Sequence, residues 1–196
     1  MDRFDEAFAR LNAQFCGSGK VEEVRLDFKN KKFFHEFQHK LEVDRWCEVA
    51  FAVQRKNGKF IVIRTEFYPD GVYRIPTGGV QFGEDILHAL HREIAEELGL
   101  AVEMKRFLGA VRYHISCEGE SLSFASFVFW LRETGGEILA DATEDEICEY
   151  IEADTDKLSE IAENLRTNTS NWHDWCSFRM QTTAFIIPFL KESEKP

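Results

Sequence analysis

Apolar residues recur along this chain at two periods, and the order of those periods predicts helices packed on a sheet. Phe4, Phe8, Leu11 and Phe15 fall three to four apart, one face of an amphipathic helix that Gly17-Ser18-Gly19 ends. Val21 to Phe28 alternates imperfectly, Asn30-Lys31-Lys32 reads as a turn, and Phe33 to Phe37 is expected to return as a second strand, giving an N-terminal hairpin. Strands follow at Glu48 to Gln54 and Lys59 to Thr65 across Asn57-Gly58, a hairpin turn signal. Asp70-Gly71 marks another turn, and Val72 to Ile75 reads as a short strand. Val102 to Tyr113 and Leu122 to Leu131 predict two long strands joined around Glu118-Gly119-Glu120. Ile147 to Ile151 reads as a short strand and Thr155 to Leu165 as a helix with Leu158, Ile161, Ala162 and Leu165 inward. A final helix is expected over Asn171 to Phe185, then a disordered tail, Lys191 to Pro196.

One segment departs from plain packing. In a helix over Ile86 to Leu98, Leu87, Leu90, Ile94 and Leu98 form an apolar stripe, while Glu93, Glu96 and Glu97 share an adjacent arc. Glu93 then faces like charges at i+3 and i+4, each pair costing roughly 0.2–0.5 kcal/mol. A bound cation reverses that sign, and hard divalent ions are commonly held by one or two carboxylates with substrate phosphates completing the shell. The helix alone also reads as a solvated face, with Arg92 pairing to Glu96. Its surroundings favour the metal. Pro76-Thr77-Gly78-Gly79 is expected to form a glycine loop that takes φ > 0 or approaches a ligand closely, and Gly83-Glu84-Asp85 opens the helix toward an anion. Gly99 stops it.

At 196 residues, 44% of them hydrophobic, the chain can bury one substantial core with appendages. The expected division is an extension over 1–45, a core domain over 46–165 and a C-terminal helix and tail over 166–196. The run Ala184 to Leu190 is too short to cross a bilayer, and the first residues lack the order of a signal peptide, so a cytoplasmic location is expected. Five scattered cysteines, none in a Cys-x-x-Cys pair, read as reduced thiols. A net charge of −11 excludes long nucleic acid as the main partner, yet Arg64, Arg74 and Lys105 remain candidates for meeting a metal-bound diphosphate.

Gly78, five residues, Glu84, seven residues, Arg92-Glu93-Ile94, one residue, Glu96-Glu97, one residue, Gly99-Leu100 resembles the Nudix box of MutT-like pyrophosphohydrolases at every fixed position. The resemblance is close over the box and loose over about residues 46–165. It implies an α/β (α+β) fold, a Nudix-type α/β/α sandwich with a mixed β-sheet. It also implies Mg²⁺-dependent hydrolysis, with Mn²⁺ as a substitute, of a nucleoside diphosphate linked to another group: a nucleotide sugar, dinucleotide or nucleoside polyphosphate. By the same resemblance Glu96 and Glu97 are the principal ligands, Glu93 a further ligand or general base, and Arg92 an orienter. Glu84 supports the loop or binds a second ion, and Gly78 gives its carbonyl or its conformation. The family commonly adds a later acid; here Asp141, Glu144, Asp145, Glu146 and Glu149 compete, with Glu144 and Glu146 favoured.

Substrate contacts are assigned to Arg64, Arg74 and Tyr113. The window Leu108 to Glu120 lacks the proline of ADP-ribose enzymes but holds Tyr113, a hint of nucleotide polyphosphates. Tyr68, Tyr73, Phe82, Trp172 and Trp175 are further candidates to stack a base, although Trp172 and Trp175 fit a core reading best. In resembling proteins, extensions like 1–45 often make dimer or substrate contacts, so a homodimer is among the expectations. The competing function is a non-catalytic nucleotide sensor; such proteins usually lose box carboxylates, which this chain keeps.

Overall fold

The computed structural model describes residues 2–66, 68–138 and 147–193. Helix α1 (Arg3–Gln14) leads into strand β1 (Lys20–Asp27) and helix α2 (Lys31–Val43). Strands β2 (Arg45–Gln54), β3 (Phe60–Thr65) and β4 (Thr77–Gln81) precede helix α3 (Ile86–Leu98). The long strands β5 (Leu100–Cys117) and β6 (Glu120–Gly136) follow, then β7 (Ile147–Ala153), α4 (Thr155–Arg166) and α5 (His173–Ser193).

The strands form one mixed sheet ordered β1-β5-β6-β2-β3-β7, with β4 paired antiparallel to β2. Strands β5 and β6 are an antiparallel hairpin turning at Glu118 and Gly119, both at positive φ, while β1 runs parallel to β5 and β2 parallel to β6. Along β2 successive side chains go to opposite faces. Cys47, Val49, Phe51 and Val53 join a core with Leu90 and Ile94 of α3, and Ala50 and Ala52 join a second core with Leu158 of α4 and Ile186 of α5. Burial on both faces is why β2 reads as a near-continuous apolar run. The expected sandwich is therefore present, with α1 and α3 on one face and α2, α4 and α5 on the other. Among the described residues no helix is long and apolar enough to cross a membrane.

Four expected elements differ. Phe33 to Phe37 is not a returning strand but part of α2, which Asn30 caps by accepting from Phe33 N at 3.1 Å. Strand β1 consequently has no hairpin mate and finds its partner in β5, where Lys20 lies opposite Gly109. Gly109 sits at φ 136, and a Cβ there would stand 1.9 Å from Lys20 O, so glycine is what lets the two backbones meet. The glycine segment is not a loop: β4 runs through Gly78 and Gly79, neither at positive φ, while Arg74 makes only an isolated bridge to Ile63. Finally, α5 continues through Pro188 to Ser193. Burying Phe185, Ile186, Phe189 and Leu190 contributes roughly 1.5–3 kcal/mol each, which outweighs the ~3 kcal/mol an internal proline costs.

Candidate active site

Helix α3 starts and stops on local signals. Asp85 caps it, its carboxylate accepting from Leu87 N at 2.9 Å and His88 N at 3.3 Å, and pairs with Arg10 at 2.7 Å. The chain's own anion thus takes the N-terminal donors, so the expected anion site at this helix start is already filled. Gly99 closes the other end at φ 66, its N–H shared between Ile94 O and Ala95 O.

The centre of the arrangement is Arg92. Its Nε and Nη2 donate to the two oxygens of Glu84, each at 2.9 Å, and Nη2 also donates to Gly79 O at 2.9 Å. Nη1 donates to Glu93 Oε1 at 2.9 Å and to Glu96 Oε2 at 2.8 Å. Five N–H groups meet five acceptors, so the guanidinium is fully committed to holding α3, β4 and the intervening loop together. Glu84 also accepts from Gln81 N at 3.1 Å, which makes it the clamp of that loop. The bidentate contact with Arg92 holds the Glu84 carboxyl far below its ordinary range, at about 2, and raises Arg92 in return. The like-charge cost of the glutamate arc is offset here by one cation.

Glu93 lies against β4, in space that Gly78 leaves open: a Cβ on Gly78 would stand 2.1 Å from Glu93 Cδ. Burial raises the pKa of Glu93, opposed by Arg92. Glu93 and Glu97 both line a cleft of about 690 Å³, beside Gly78, Gly79 and Arg45. Among the described residues no three acidic, histidine or cysteine side chains form a ready-made metal cage. Two carboxylates beside a glycine strand nonetheless fit a hard divalent ion that keeps its other positions for waters and phosphates.

The other expected site residues scatter. Glu96 turns to Arg92 rather than lining the cleft. Arg74 lines it, but its guanidinium is engaged by Tyr68 OH at 2.8 Å, Ile75 O at 2.9 Å and Thr77 Oγ1 at 3.0 Å. Arg64 pairs with Glu149 at 2.9 Å away from the cleft lining, which removes Glu149 from the acids facing the site. Tyr113 is fully buried against Phe178, ring centroids 4.8 Å apart, and is a core residue, so the hint it gave about polyphosphates has no surface to act from. Asp141, Glu144, Asp145 and Glu146 lie outside the described residues.

Sequence reasoning missed Glu48 and Arg179. Glu48 of β2 is buried at 2% exposure in the cleft wall, accepting from Ser126 Oγ at 2.7 Å and from Arg179 Nη1 at 3.0 and 2.8 Å. A lone carboxylate in the apolar run Cys47-Glu48-Val49-Ala50-Phe51 was the available signal.

Comparison with known proteins identifies the family and the fold. Residues 45–176 match the NUDIX domain family. An ADP-ribose pyrophosphatase of Methanocaldococcus jannaschii is 32% identical over 141 residues, covering 67% of this chain and 81% of that protein. Nudix hydrolase 10 of Arabidopsis thaliana is 32% identical over 111 residues, 57% of this chain and only 39% of the plant protein. Among solved structures, a NUDIX hydrolase from Nitrosomonas europaea superposes with a TM-score of 0.52 at 17% identity, covering 74% of this chain and 90% of that one.

Proposed function

This chain belongs to the Nudix family as a hydrolase of phosphorus-containing anhydrides, and on that premise we propose that it is a Mg²⁺-dependent pyrophosphohydrolase, with Mn²⁺ as a substitute, that cleaves a nucleoside diphosphate linked to a second group. The archaeal relative's name, ADP-ribose pyrophosphatase, belongs to that substrate class and supports the reading.

The observation that carries it is the five-acceptor clamp of Arg92, which fixes Glu93 against Gly78 while Glu97 lines the same cleft. Glu93 and Glu97 would hold the ion. Once bound, the ion shields the charge on the diphosphate and lowers the pKa of a coordinated water. Arg92 has no donor left for a phosphate, so it acts as a positioning residue that orients Glu93 and Glu96. Glu84 keeps Arg92 in place. The attacking water also needs a proton acceptor, for which Glu93 is the candidate, and Glu144 or Glu146, after β6 in the sequence, would add a further acid to the ion.

The test is product release with Mg²⁺ across ADP-ribose, nucleotide sugars, dinucleoside polyphosphates and nucleoside triphosphates. The reading expects hydrolysis of at least one nucleoside diphosphate derivative, abolished by chelation. Full activity in the presence of a chelator, or none on any anhydride, overturns it.

A further inference from the structure

We propose, resting on the reading just given, that the cleft holds the base of the substrate between aromatic side chains carried by α2 and α5, with the Glu48–Arg179 pair reading the base edge.

The cleft lining combines two chemistries: Glu93 and Glu97 beside Gly78 and Gly79, with Glu48 paired across from Gly79, and a set of aromatic rings. Along α2, Phe33, Glu36, Phe37 and Lys40 stand at i, i+3, i+4 and i+7, and all four line the cleft. Along α5, Trp175, Phe178 and Arg179 stand at i, i+3 and i+4 and line it too. Phe37 packs on Phe178 at 5.2 Å between ring centroids and on Phe124 at 5.1 Å, while Tyr68 packs on Trp175 at 4.0 Å with its hydroxyl fixed by Arg74. Phe33, Phe37 and Tyr68 are only half buried. Aromatic surface left partly wet beside carboxylates is unfavourable unless a flat apolar group covers it, and a nucleobase has that shape.

The wall also carries the chemistry to read such a group. Glu48 is buried and accepts from Arg179 and Ser126, Arg179 is half-buried beside it, and the buried Nε of Arg179 has no hydrogen-bond partner among the described residues. Hydrogen bonds made there discriminate strongly, because a mismatched group leaves buried polar atoms unpaired. Phe33 and Phe37 precede the family-matched segment 45–176, and Phe178 and Arg179 follow it. The family-matched segment thus supplies the carboxylates together with Glu48, Tyr68, Phe124 and Trp175, and residues outside it, Phe33, Phe37, Phe178 and Arg179, complete the aromatic wall.

The experiment is a fluorescence titration of the intact, metal-free protein, reporting through the tryptophans, of which Trp175 lines the cleft. AMP is expected to give a saturable change, and ribose 5-phosphate, which lacks the base, to bind at least about tenfold more weakly. Phe37→Leu, which keeps apolar volume but removes the ring face, should weaken AMP by about tenfold, while Phe37→Tyr should stay within about twofold of wild type. Ribose 5-phosphate binding as well as AMP overturns the proposal, as does a folded Phe37→Leu protein that binds AMP normally. The first comparison uses only wild-type protein and decides the matter even if Phe37→Leu fails to fold. No turnover is needed. AMP binding without hydrolysis of any anhydride would sink the proposed function and leave the base site standing; hydrolysis without base preference would do the reverse.

Discussion

Glu93 occupies the volume that a side chain at Gly78 would need: a Cβ there would lie 2.1 Å from both Glu93 Cγ and Cδ and 2.4 Å from Oε2. The glycine is required by a contact across two elements and not by its own backbone, because Gly78 is paired strand at ordinary φ. Gly78→Ala should therefore fold, since the flexible Glu93 side chain can swing away, and should lose about 100-fold in kcat through a displacement on the order of 1 Å. Circular dichroism and steady-state kinetics on one preparation check it. Unchanged kcat would show that the position of Glu93 does not matter to the reaction.

Arg92 stands among Glu84, Glu93 and Glu96, and removing it leaves three carboxylates clustered with no shared cation. Breaking a largely buried network of this kind costs about 3–5 kcal/mol. For a chain of this length Arg92→Ala should lower the melting temperature by roughly 10 °C. Arg92→Lys should recover little, because one ammonium cannot reproduce a five-donor fork. A lysine variant that melts with wild type would contradict the geometry described.

The Glu84 carboxyl is held at about 2, against an ordinary 4.5, chiefly by its hydrogen bonds to Arg92. A depressed acid stabilises the fold fully above the unfolded value, and that contribution drains as pH falls from 4.5 toward 2. Its size is on the order of 1–3 kcal/mol, the side chain being mostly buried. Urea midpoints followed over this acidic range should fall steeply for wild type and less steeply for Glu84→Gln. Parallel curves would refute the assignment.

Much of the site was legible because its signals are local. The stripe Leu87-Leu90-Ile94-Leu98 and the stop at Gly99 fix α3 within a few residues, and the spacing of Arg92, Glu93 and Glu97 places them on it, with Glu84 in the loop just before. What escaped is decided by distant partners. Two glycines carry no side-chain pattern, so β4 is recognisable only from its pairing with β2 and from the carboxyl of Glu93 beside it. Phe33 and Phe37 sit in a run where period two and period four both find aromatics, and the Asn30 cap tips the balance to helix. Tyr113 lies on a strand whose alternation says which residues share a face, but not that α5 covers this one with Phe178. The Glu48–Arg179 pair joins residues 131 apart.

Glu97→Gln, assayed beside wild type with saturating Mg²⁺ and the best nucleoside diphosphate derivative, tests the central claim most directly. Removing a charge about 4 Å from a bound ion forfeits roughly 4 kcal/mol at an effective dielectric near 20, about three decades in rate. The account predicts a folded protein with that loss. Turnover within about tenfold of wild type would contradict it, that loss being under 1.5 kcal/mol.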